Sequence, residues 1–128
     1  MKRAFVDTSA LVAVALGEPH QAELRRMMDD VPDLFAAPLM EAEFRSVLAR
    51  EEVEDGLPML EVFRWVLPDR PLSEELDQVF AAGYQRGADA WHLATALFLA
   101  ERPADLPLVS LDERQRSVAA KLGFPVIP

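Results

Sequence analysis

The chain has no cysteine, so a disulfide framework, a thiolate metal site and cysteine nucleophile chemistry are all excluded. It has only two lysines, Lys2 and Lys121, and its other basic residues are arginines, the better phosphate forks. Acids outnumber bases 22 to 13, giving a net charge of −9 and a pI near 4.6. That balance argues against gripping nucleic acid over a broad surface and fits a basic partner or a site that collects cations. No apolar run approaches the length of a membrane span, and the strand-like run after Met-Lys-Arg is too short for a signal peptide. The expected compartment is the cytoplasm, with no membrane attachment.

What is present is the makeup of a globular protein. With 128 residues, 51% hydrophobic and 27% charged, the chain has the size of one domain spanning 1–128 and enough apolar material for a core. Residues 2–6 read as a strand and 8–16 as a helix closed by Gly17, with a second helix over 20–30. LFAA (34–37) reads as a strand, and Pro38 opens a helix reaching about Glu54. Residues 57–67 read as helical. Ser73 caps a helix to about Arg86, and Gly87 separates it from a nearly all-apolar helix over 88–100. LPLVS (106–110) reads as a strand, and Ser110 with Glu113 forms a capping box for a helix ending at Gly123. PVI (125–127) ends the pattern. Strands alternating with helices predict an α/β fold, a central parallel sheet of about four to five short strands flanked by helices.

Four acids stand out by position. Asp7 and Asp112 follow strands at their carboxyl ends, where open α/β sheets place ligands. Asp89 opens the apolar helix, and Glu43 falls inside the apolar arc of Leu39, Met40, Phe44, Val47 and Leu48. Each has a plainer reading. Asp7 and Asp89 suit helix starts, Glu43 suits an edge position paired with Arg50, and Asp112 suits a cap less well because Ser110 takes that role. Together, four carboxylates at ~5 Å and an effective dielectric of ~20 repel by ~3 kcal/mol per pair. Either some are protonated or a cation neutralises them. An all-oxygen set suits Mg²⁺ or Mn²⁺ rather than zinc, and removing the four acids takes the net charge from −9 to −5.

FVDTSALVAVALGE (5–18), PLMEAEFRSVLAR (38–50), ADAWHLATAL (88–97) and LPLVSLDERQRSVAAKLGFPVIP (106–128) resemble, in order and spacing, the PIN-domain family. The likeness is particularly to the VapC-type toxins of toxin–antitoxin pairs. The resemblance implies a PIN-like α/β/α sandwich. It places the family's acidic quartet on Asp7, Glu43, Asp89 and Asp112, with Asp7 and Asp89 the main metal ligands. Asp112 completes the site, and Glu43 helps to bind metal or orient water. Thr8 or Ser9 falls where the family often has a Thr-Ser pair lining the site. Ser110 stands where threonine is common and Trp91 where a smaller aliphatic is usual. The activity the resemblance implies is Mg²⁺- or Mn²⁺-dependent endoribonuclease hydrolysis of RNA, and the partners it implies are a cognate antitoxin protein that neutralises it and a second copy of the chain in a homodimer. Arg45, Arg86, Arg114 and Arg116 are candidates for the RNA backbone.

His92 reads as a packed or hydrogen-bonded core histidine rather than a general base. Apolar stripes on 20–30 and 57–67 suit a groove for a partner's amphipathic segment, with Phe63, Trp65 and Trp91 in it or in the core. A catalytically silent PIN-fold protein- or RNA-binding module is the competing reading. A haloacid-dehalogenase-type phosphotransferase wants D-x-D where Thr8 and Ser9 follow Asp7. A receiver domain wants a late lysine better placed than Lys121.

Overall fold

The computed structural model describes residues 1–128. A five-stranded, all-parallel sheet runs in the order β3-β2-β1-β4-β5. Its strands are β1 (Arg3–Val6), β2 (Asp33–Ala36), β3 (Phe63–Trp65), β4 (Leu108–Val109) and β5 (Val126–Ile127). The helices are α1 (Thr8–Leu16), α2 (Gln21–Asp30), α3 (Leu39–Arg50), α4 (Ser73–Ala82), α5 (Gly87–Leu99) and α6 (Glu113–Leu122).

The period-two alternation of the strands divides the core into two layers. Ala4, Val6, Leu34, Ala36 and Val109 pack with Leu11, Leu24, Met40 and Phe44 of α1–α3. Phe5, Ala37 and Leu108 pack with Val79, Leu93 and Val118 of α4–α6. Both faces of β1 are therefore covered, which is why Ala4, Phe5 and Val6 are apolar in succession and all buried. Leaving β1, the chain first builds outward through β2 and β3, then returns to the other side of β1 as β4. The reversal puts a topological switch point between the carboxyl ends of β1 and β4, the position of Asp7 and of the Ser110–Asp112 turn.

Glycine ends two helices as expected. Gly17 and Gly123 lie at φ 66° and 100°, a left-handed conformation open to glycine at little cost.

Several local expectations are corrected. Residues 57–67 are not an α-helix: a short 3-10 turn over Leu57–Val62 leads into β3. Pairing with β2 (Leu34 beside Phe63, Ala36 beside Trp65) outweighs the short apolar stripe. The helix from Pro38 stops at Arg50, four residues short of Glu54, with Glu52 in a left-handed turn at φ 55°. Ser73 begins α4 rather than capping it and makes no side-chain cap bond. That helix ends at Ala82, so residues 83–86 form a loop, and Gly87 is the first residue of α5 rather than a spacer. The cap of α6 is Asp112, not Ser110.

Candidate active site

Asp7 and Asp112 each cap a helix with one carboxylate oxygen. Asp7 Oδ2 accepts from Ser9 N (3.1 Å) and Ser9 Oγ (2.6 Å). Asp112 Oδ1 accepts from Gln115 N at 2.8 Å. The plain reading and the functional one are thus both available to the same side chains. A cap consumes one oxygen, and Asp7 Oδ1 and Asp112 Oδ2 take no hydrogen bond from the protein. Asp89, in the first turn of α5, makes no side-chain hydrogen bond at all, and the cap position there belongs to Arg86.

Hydroxyls and one amide tie these elements together. Ser9 Oγ accepts from Leu111 N at 3.0 Å, joining α1 to the end of β4. Buried Ser110 accepts from Asp112 N (3.1 Å) and donates to Gln115 Oε1 (2.8 Å). Gln115 Nε2 reaches the Asp89 carbonyl at 3.4 Å. Ser110 therefore points inward as a fastener, which is why it does not cap α6.

Glu43 does not pair with Arg50, which is engaged instead with Glu51 at 3.0 Å. Its Oε1 receives Thr8 Oγ1 at 2.8 Å and His92 Nε2 at 2.5 Å. Facing a carboxylate, Nε2 must carry a proton. His92 is 1% exposed and its Nδ1 is buried without a partner. Glu43 is held below the usual carboxylate range: burial pushes it up, and His92 and Thr8 outweigh burial. His92 is raised although burial opposes it, through the Glu43 hydrogen bond and the charges of Asp7, Glu43 and Asp89.

Asp89 is raised first by burial, then by the charges of Asp7 and Asp112 and, against His92, that of Glu43. The four acids singled out in the sequence thus share one electrostatic neighbourhood. An open cavity of about 290 Å³ is lined by Arg86, Asp89, Asp112, Glu113 and Arg114, with no hydrophobic side chain. A shallower cleft alongside is lined by Thr8, Ser9, Val12, Glu18, Leu111 and Asp112. Arg86 and Arg114 therefore stand beside the acids. Arg45 does not line this cavity; it forms an exposed ion pair with Glu41 at 2.8 Å. Arg116 turns inward to the carbonyls of Ser110 and Pro128. Thr8 and Ser9 have their hydroxyls committed to Glu43 and Asp7.

A family model for the PIN domain matches residues 4–121. The chain belongs to the PIN-domain family. Its fold is similar to the crystal structure of PAE2754 from Pyrobaculum aerophilum, with 25% identity and a TM-score of 0.54 over 97% of this chain and 91% of that one. No curated protein matches the chain. PIN domains are generally nucleases that use divalent metals, and the acids of this PIN domain suit a hard cation by their chemistry. The free oxygens are carboxylates, and their mutual repulsion is the condition a cation relieves. No three acidic or imidazole groups converge closely on one point.

Proposed function

We propose that this PIN domain is a metal-dependent endoribonuclease of the VapC-toxin type. The observation that carries the reading is that Asp89 and Asp112 line one polar cavity together with Arg86 and Arg114, with Asp7 close enough for its charge to push Asp89 up. Asp7 and Asp112 would hold Mg²⁺ or Mn²⁺ through the oxygens that capping leaves free, and Asp89 through its unbonded carboxylate. A bound ion supplies positive charge for the scissile phosphate and lowers the pKa of a water. Glu43 is fixed through Oε1 by Thr8 and His92, so Oε2 is left to orient the attacking water. Its burial would push it toward the protonated form, and His92 and Thr8 outweigh that, so it stays an acceptor at neutral pH. Arg86 and Arg114 offer forks to the phosphates of the strand. RNA as substrate, an antitoxin partner and a homodimer rest on the family resemblance.

The test is cleavage of a fluorescent single-stranded RNA panel with Mg²⁺, with Mn²⁺ and with EDTA, beside Asp7→Asn and Asp89→Asn. Asparagine keeps the cap at position 7 while removing the charge, so the variants should fold. Metal-dependent cleavage that vanishes in both establishes the nuclease. The competing reading is a binding module that keeps the acids without turnover. Metal binding by calorimetry with no cleavage of any RNA would select it.

A further inference from the structure

We propose that Tyr84 is a stacking platform that takes an unpaired base of the strand entering the acidic cavity; this rests on the nuclease reading above. Tyr84 lies in the loop between α4 and α5 and is 68% exposed, the ring standing largely in water. The loop that carries the ring is fixed against its surroundings. The neighbouring Gln85 is buried, and its Nε2 donates to the Arg114 carbonyl at 3.1 Å. A Cβ on Gly83 would meet Val118 at 3.0 Å, so the loop also lies close against α6.

The same arginine links the ring to the cavity. Its guanidinium carbon sits 5.1 Å from the Tyr84 ring centroid, within cation–π range. Arg114 also lines the cavity together with Arg86, Asp89 and Asp112. Ring, guanidinium and carboxylates thus follow one another from the surface inward. Within a nucleotide, base and phosphate are separated by one sugar, and the order of groups here matches: an aromatic face for the base, arginine forks for the phosphate, acids at the reacting end. A base offered to Tyr84 must be unstacked, because the bases of a duplex are already stacked on each other. The platform selects single-stranded RNA.

The experiment measures fluorescence anisotropy with three labelled RNAs of about ten nucleotides: a single strand, an abasic strand of equal length and a blunt duplex. Ca²⁺ replaces Mg²⁺, and wild type is compared with Tyr84→Ala and Tyr84→Trp. Tyr84→Ala should weaken single-strand binding about tenfold, the worth of one stacked base, and leave the abasic strand and duplex unchanged. Tyr84→Trp should bind the single strand at least as tightly as wild type. Equal affinity of Tyr84→Ala and wild type for the single strand overturns the platform, as does an equal loss on all three RNAs. Cleavage with Mg²⁺ is run in parallel. Metal-dependent cleavage with normal Tyr84→Ala binding sinks the platform alone; no cleavage and no RNA binding by wild type sinks both readings.

Discussion

Replacing His92 by leucine distinguishes an imidazole that holds Glu43 from one that only fills the core. The substitution removes a hydrogen bond to Glu43 Oε1 at 2.5 Å, which as a charge-assisted bond is worth about 1.5–3 kcal/mol. It also removes Nδ1, buried and without a partner, whose desolvation costs about 1–3 kcal/mol. Leucine is of similar bulk, so no large cavity opens. With a neutral imidazole the two effects nearly cancel, and the net loss should stay within about 2 kcal/mol. Acidity then separates them. His92 has a folded-state pKa above 6.5, so its charged pairing contributes fully below the ordinary value and is lost as pH rises through the folded one. Glu43 lies below 4.5, so its contribution is present above that value and lost as pH falls through the folded one. The pair is strongest between those ordinary values. The deficit of His92→Leu should therefore be greatest near pH 5.5 and shrink toward pH 9. The assay is urea denaturation in EDTA, followed by tryptophan fluorescence. A deficit independent of pH, or one above about 4 kcal/mol near pH 9, would refute the reasoning and make His92 a core filler.

Asp89→Asn should stabilise the metal-free protein slightly, the gain being limited by solvent screening of a half-exposed carboxylate, because the folded state raises the pKa of Asp89. The gain appears as pH rises above 3.8, is complete above the folded value, and narrows on adding Mg²⁺; thermal melts with and without metal read it, and an unstabilised variant counts against the acid cluster. Glu75, nearly buried and bonded to Arg70 at 3.0 and 2.6 Å, is held below 4.5 chiefly by that arginine, against burial. Its contribution is present above 4.5 and lost as pH falls through the folded value. Glu75→Gln should therefore flatten the acid limb of the stability curve in a pH series of melts. Leu24 is the one buried residue of α2, so Leu24→Ala should cost about 2–5 kcal/mol by chemical denaturation; a loss under about 1 kcal/mol would show that α2 is not anchored there.

The four acids were legible because each interrupts a pattern: Asp7 and Asp112 stop apolar runs, Asp89 opens one, and Glu43 sits inside one. The parallel sheet was legible for the same reason, in the spacing of its buried runs. Partnership was not. Glu43 meets His92 across 49 positions of sequence, and local periodicity holds no record of that contact. Ser110 and Asp112 are both good caps, and burial beside Gln115 decides which one turns inward. Phe63–Trp65 has too few residues to separate a period of 3.6 from one of two; only β2 alongside makes it a strand. Nothing in Ala81-Ala82-Gly83-Tyr84 breaks a helix as firmly as proline would, so the loop carrying Tyr84 read as the end of α4.

The borders of the sheet have a consequence for how this protein meets others. β3 offers three residues at one border and β5 two at the other. On β3, Arg64 is exposed and tied to Asp33 at 3.0 Å. Such short margins, one carrying a charge and the other flanked by Pro125 and Pro128, give an incoming strand few main-chain groups to template against, which disfavours fibril growth and strand exchange. The surface left to carry contacts of any extent is that of the helices and loops, since the sheet presents only these two short edges.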